Sequence, residues 1–269
     1  MAICAMMCGF DTWSEITLFA QEREPWFRRW LSLPGGIPSH DTFNRIFATL
    51  PPASLKSIFQ AWIGDIMGDD KLVGQLAVDG KALRATAKGR GANAVHMVNV
   101  WSTELGMCVG QQKVADKSNE ITAIPELLQL LELKGCLVSI DAMGTQVKIA
   151  DTILKKSGDY LLAVKDNQPS LNTEVQEQFQ AYWDKNETDV SGHGFTEQFD
   201  SEHGRKEHRR CWVLVVDESM PVCQQWKAKT IIAVQAERIE NGKGYDFVRF
   251  YISSRALDAT SALKATRAH

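Results

Sequence analysis

No two of the chain's six cysteines stand in a C-x-x-C pair, and none has the His-rich spacing that would hold zinc. The sequence also lacks G-x-S-x-G, G-x-x-x-x-G-K-[ST] and G-x-G-x-x-G, so hydrolase-elbow, P-loop and dinucleotide readings have no support. His40, His96, His193 and His208 make no i,i+4 pair. No apolar run reaches membrane-spanning length. Residues 1–10 are apolar but have neither a basic n-region nor a cleavage site, and they read as part of a buried helix. An excess of positive charge is missing as well. With a formal net charge of -3, nucleic-acid binding would have to come from local patches. Scattered cysteines without a secretory leader indicate reduced thiols and a cytoplasmic setting with no membrane. Hydrophobic content of 44% and charged content of 23% leave an ordinary globular chain.

Two aspartates stand out against this background. One ends Leu76-Ala77-Val78-Asp79 and is followed by Gly80-Lys81; the other ends Cys136-Leu137-Val138-Ser139-Ile140-Asp141 and is followed by Ala142-Met143-Gly144. Short β-branched runs bounded by glycine read as buried strands. An acid at the end of such a strand is costly without a partner. Two acids on neighbouring strands repel unless a divalent cation lies between them, an arrangement suited to Mg²⁺ or Mn²⁺ and phosphoryl chemistry. Taken singly, each aspartate is equally a turn residue.

The 269 residues allow one large domain or a domain with an appendage. Residues 1–70 read as helical. Ile16, Phe19 and Ala20 fall at helical spacing and, across a break, so do Phe27, Trp30 and Leu31. After the loop 33–38, Ser39 or Asp41 caps a second helix carrying Phe43, Ile46, Phe47 and Leu50; a third carries Leu55, Ile58, Phe59, Trp62, Ile63 and Ile66. From residue 74 the period changes. Strands at 75–79, 95–103 and 107–114 precede a helix over 119–133, a strand at 137–141, a helix over 147–156, a strand at 160–165 and a helix over 171–183. The helix over 119–133 is expected to turn Ile121, Ile124, Leu127, Leu128 and Leu131 to one side. The order β-β-β-α-β-α-β-α over 71–186 suits an α/β mixed sheet with helices on both faces. An RNase H-like sheet has this order, with its first and fourth strands adjacent. Residues 187–256 read as a β-rich insertion, and 257–269 begin a final helix with Leu263 pointing inward.

Glu120 opens the helix after the third strand. It is either a first-turn acid favoured by the helix dipole or a third carboxylate reaching the same cavity. Lys81, Arg84, Lys88 and Arg90 form a basic stretch without an acid, fit for a phosphate backbone or simply solvated. Lys165 and Asn167 follow the fifth strand on the edge that carries the acids. Arg205, Glu207 and Arg209 alternate to one strand face, either as an ion-paired surface or as a DNA track.

Six segments, in this order, together resemble one family: Ile37-Pro38-Ser39-His40-Asp41-Thr42-Phe43; Val78-Asp79-Gly80-Lys81-Ala82-Leu83-Arg84; Asn119-Glu120-Ile121-Thr122-Ala123-Ile124-Pro125; Ile140-Asp141-Ala142-Met143-Gly144-Thr145-Gln146; Val164-Lys165-Asp166-Asn167-Gln168; and His203-Gly204-Arg205. The chain is similar, over essentially its whole length, to the H-repeat-associated proteins, an insertion-sequence group of bacterial DDE transposases. The resemblance implies an RNase H-like core, an N-terminal helical segment and a β insertion before the last helix. It implies DNA as substrate, element ends and target alike, with a homodimer as a further partner. It matches Asp79 and Asp141 to the first two acids of the triad, with a two-metal Mg²⁺ or Mn²⁺ site.

The family's third acid, a Glu, belongs on the helix that here begins near Asp258, and it would fall beyond His269. The resemblance also implies further residues before Met1. The expectation is a transposase truncated at both ends and defective in strand cleavage and transfer. The alternatives are a non-catalytic DNA-binding remnant or an interaction module.

Overall fold

The computed structural model describes residues 1–51, 54, 55, 57, 58, 61, 62, 65, 72–83, 95–114, 120–185, 194–202, 205–240 and 243–269. The basic stretch at Arg84, Lys88 and Arg90 and the pair His203-Gly204 lie outside these residues, as does most of the third N-terminal helix. Two compact units divide the chain, Met1–Ile66 and Met67–His269.

The first unit contains α1 (Ala2–Met7), α2 (Trp13–Glu22), α3 (Glu24–Phe27) and α4 (His40–Thr49). Local chemistry starts these helices. The Thr12 hydroxyl accepts from the Glu15 N–H while the Glu15 carboxylate accepts from the Thr12 N–H, a closed capping box. Ser39 caps α4 by accepting from the Thr42 N–H. Ala2, Ala5, Ile16 and Phe43 form a small core with Trp13, Phe19 and Phe47 against it. Two expectations fail here. Only the alanine face of α1 is buried, leaving Ile3, Met6 and Met7 exposed. Phe27 is buried, but α3 stops at Phe27, so the helical stripe never reaches Trp30 and Leu31, which stay exposed.

The second unit is built on a single sheet of nine strands. They are β1 (Gln75–Leu83), β2 (Val95–Ser102), β3 (Met107–Val114), β4 (Leu137–Ile140), β5 (Asp159–Val164), β6 (Phe195–Glu202), β7 (Arg205–Val215), β8 (Thr230–Glu240) and β9 (Lys243–Ser253). The helices are α5 (Glu120–Gln129), α6 (Val147–Lys155), α7 (Pro169–Lys185), α8 (Pro221–Gln225) and α9 (Ala259–Arg267). The spatial order is β3-β2-β1-β4-β5-β9-β8-β7-β6. β1, β2 and β3 form an antiparallel meander, β4 lies parallel between β1 and β5, and β9 joins β5 antiparallel. The expected element order is therefore present, with the first and fourth strands side by side. The β-rich segment does not form a sheet of its own but extends this one by four strands.

Burial explains the layering. β4 is buried throughout, as a central parallel strand must be. One sheet face carries Leu76, Val78, Val138 and Ile140 against Ile124, Leu127, Ile149, Val175 and Phe179 of α5, α6 and α7. The other face carries Leu137, Leu161, Ile232 and Tyr251 against Ala259, Ala262, Leu263 and Ala265 of α9. Leu263 points inward as its spacing implied. Among the described residues no helix is long and apolar enough to cross a membrane.

The cysteines are free thiols, with Cys136, Cys211 and Cys223 buried and Cys8 exposed. Iodoacetamide is therefore expected to modify Cys8 in the native protein and to spare the three buried thiols until denaturant is added, as peptide mass spectrometry would show. Burial also pushes the Cys211 thiol up to about 12. An unfolded thiol ionises near pH 8.5, so the unfolded chain loses this proton first and the thiol's contribution falls as pH rises from about 8.5 towards 12. The denaturant midpoint should drop between about pH 7 and pH 10 and drop less in Cys211→Ala.

Candidate active site at the end of two parallel strands

The site arises because two paired strands differ in length. β1 and β4 run in register from Gln75↔Leu137 to Val78↔Ile140, and there β4 stops. Asp141 ends it by capping the 3₁₀ turn Ala142–Gly144, with its Oδ1 accepting from the Gly144 N–H at 3.2 Å. β1 continues to Leu83, held by β2 alone. Asp79 is therefore not a strand terminus, as its sequence suggests. It lies inside β1, opposite Asn99 and one residue past the last pair with β4. Asp79 and Asp141 occupy the same step of neighbouring parallel strands, whose spacing is about 5 Å. Val78 and Ile140 face α5 and α6, so by alternation Asp79 leaves on the opposite face, that of α9.

A polar chain crosses between β1 and β4 on that same face. Gln75 Nε2 donates to Ser139 Oγ at 2.8 Å and to the Ala265 carbonyl at 2.8 Å, and Ser139 Oγ lies 3.3 Å from His269 Nδ1. The end of α9 is thus pinned to the two strands that carry the acids. The His269 ring is close enough to Asp141 and Asp79 for both carboxylates to favour its protonated form, while packing on one side acts more strongly and lowers its pKa. Sequence reading passed over Gln75, Ser139 and His269. The one local signal was a polar side chain at the matching step of each apolar run, Gln75 in the first and Ser139 in the second.

Glu120 reaches the region from the other face. The buried stripe of α5 contains Glu120, Ala123, Ile124, Leu127 and Leu128, whereas Ile121 is exposed. Ile124, Leu127, Leu128 and Leu131 are buried as the hydrophobic pattern implies; at the first turn Glu120 takes the inward place expected of Ile121. The Glu120 carboxylate covers Gly80, where a Cβ would overlap it. Glu120 therefore packs on the residue after Asp79. Among the described residues, however, no three His, Cys, Asp or Glu side chains gather as one set of metal ligands, so Asp79, Asp141 and Glu120 are not brought together as a closed cage.

The basic candidates separate into groups. Lys81 Nζ is 3.8 Å from Asp79 Oδ2, an exposed and weak pairing. Lys165 is exposed at the end of β5. Asn167 is committed to the fold, since its Nδ2 donates to the Ala142 carbonyl at 2.7 Å. Gln168 Nε2 donates to the Thr145 carbonyl at 2.9 Å, and buried Thr145 Oγ1 donates to the Ala163 carbonyl at 2.6 Å. The two motif turns, 141–146 and 165–168, therefore clamp one another and hold the turn that begins at Asp141. Arg209 is ion-paired to Asp200 at 3.0 Å and to Glu207 at 2.7 Å, and only 18% of its side chain is exposed. Arg205 starts β7, with its backbone paired to Glu202. Arg84 lies outside the described residues.

Residues 74–259 match the family described as Transposase DDE domain, and residues 1–63 match the segment described as DDE_Tnp_1-associated. The chain belongs to the DDE transposase family. The DDE-domain match opens just before β1 and closes at the start of α9, so it encloses both aspartates and all nine strands. Among relatives, the "H repeat-associated putative transposase YhhI" of Escherichia coli K12 is 38% identical over all of this chain and 72% of its own length. The "Putative transposase YncI" of Escherichia coli O157:H7 is 39% identical over all of this chain and 69% of its own. An uncharacterised protein from the dhlA 3′ region of Xanthobacter autotrophicus is 36% identical over 96% of this chain and 86% of its own.

The contact between Gly80 and Glu120 in this transposase chain can be measured directly. Gly80→Ala should destabilise by about 1–3 kcal/mol through overpacking, although alanine ordinarily suits a strand better than glycine. In a Glu120→Ala background the same change should cost less than about 0.5 kcal/mol, because the overlapping carboxylate is gone. Denaturant midpoints of the four proteins give the coupling; equal costs in both backgrounds would mean that the carboxylate does not cover Gly80.

Proposed function

We propose that the chain is the RNase H-like catalytic core of an insertion-sequence transposase that cleaves and transfers DNA strands with a divalent metal. The observation that carries this is the pairing of β1 with β4, which sets two carboxylates at the same step of adjacent strands where β4 ends. The strand order β3-β2-β1-β4-β5, with three antiparallel strands followed by two parallel ones, supports the fold assignment. Four added strands and α9 follow it, in keeping with a core at 71–186, a β-rich insertion at 187–256 and a last core helix at 257–269.

The donor set fits the metal. Both aspartates are exposed hard oxygen donors, and Mg²⁺ is commonly held by one or two carboxylates together with substrate phosphates rather than by a closed protein cage. Asp79 and Asp141 would hold it, with Glu120 as an outer acid behind Gly80. Bound there, the metal would supply activation of a water or 3′-hydroxyl and charge stabilisation at the phosphate. The protein's own groups orient. Gly144, whose Cβ would overlap Ile140, lets the turn fold tightly enough for its N–H to hold the Asp141 carboxylate. Asn167 and Gln168 keep that turn against β5.

Calorimetric titration with Mn²⁺ should show binding that Asp79→Asn and Asp141→Asn each weaken by at least roughly tenfold. Strand transfer on element-end DNA should be metal-dependent. Unaltered Mn²⁺ binding in both variants would overturn the site assignment.

A further inference from the structure

The β-rich segment brings a cation to the acid-bearing edge that the core does not encode. β9 pairs with β5 up to Val164↔Phe250, so Lys165 and Arg249 stand opposite each other one step beyond that pair. Ile140 pairs with Leu162, which places Asp141 level with Ala163 and Lys165 two residues further on, roughly 7 Å along the strand. Tyr251 packs under α9, and Arg249, two residues earlier on β9, lies on the same face, the face on which Asp79 emerges.

Most neighbouring cations are already engaged. Arg209 is held by Asp200 and Glu207, Arg267 by Asp200 at 3.0 Å, Arg210 by Glu237 and Arg255 by Asp159. Lys165 and Arg249 are exposed, and neither is ion-paired to a described carboxylate. Arg249 is nonetheless held in place. Its guanidinium lies 4.8 Å from the Phe247 ring centroid. A cation fixed in this way loses little freedom when it meets a phosphate.

We propose that Lys165 and Arg249 form a phosphate-binding pair that carries the DNA backbone away from Asp79 and Asp141 across β5 and β9, with Arg249 taking the role that sequence spacing suggested for Arg209. The proposal rests on the DNA reading above and specifies which strands the nucleic acid crosses. The four added strands then have a binding role as well as a structural one.

The test is fluorescence anisotropy with a labelled random-sequence duplex in EDTA, so that metal chemistry plays no part. Each phosphate contact contributes about one unit to the slope of log affinity against log salt. Arg249→Gln and Lys165→Gln should each weaken binding on the order of threefold to tenfold at low salt and lower that slope by about one, with melting temperature unchanged. Arg249→Lys should keep the slope. Lys148→Gln, on α6 behind the opposite sheet face, should bind within twofold of the parent. If the parent binds but neither glutamine variant changes affinity or slope, the pair is not a phosphate contact and the DNA reading survives. If the parent shows no salt-dependent binding at all, both fall together.

Discussion

A difference in length between two paired strands sets up the rest of the second unit. β4 is four residues long and wholly buried, and it ends because Asp141 turns its carboxylate back to cap the following 3₁₀ turn. β1 is nine residues long and continues past that point on the strength of its antiparallel ladder with β2. The step left beyond Ile140 is the only place where a charged side chain from β1 can stand beside one from β4 without being buried in the sheet. Every other position shared by the two strands is apolar, apart from Gln75 and Ser139, which satisfy one another.

Both faces of the sheet reinforce this arrangement. On one side α5 presents a stripe that begins with Glu120, and the absence of a side chain at Gly80 makes room for its carboxylate. On the other, α9 is anchored through Gln75 and Ser139 and brings His269 near the two aspartates. The motif turns at 141–146 and 165–168 tie their backbones together through Asn167, Gln168 and Thr145. Part-buried side-chain-to-backbone bonds of this kind fix conformation, because breaking one leaves a partly desolvated group unpaired. Asn167, Gln168 and Thr145 thus hold the turn that begins at Asp141.

The fold was legible where periodicity is local. The apolar runs at 75–79 and 137–141 and the helical stretches at 147–156 and 171–183 identified elements whose bounds the structure moves by a few residues. Errors arose where a neighbour overrode the pattern. Gly80-Lys81 looked like a strand end, yet β2 keeps them in the ladder. Ile121 looked like part of the buried face, yet the contact with Gly80 turns Glu120 inward instead.

Read alone, the amino-acid order determined which elements form, in what succession, and that Asp79 and Asp141 close two apolar runs; side-chain alternation and capping act over a few residues and need no partner. Tertiary structure decided which charges are free to act. Arg209 is neutralised by residues on β6 and on its own strand, whereas Arg249 reaches the acid-bearing edge through the pairing of β9 with β5. It also decided that α9 docks over the acids, through a bond between Gln75 and a carbonyl 190 residues away. Such contacts follow from the closure of one sheet over distant segments, which local sequence patterns do not register.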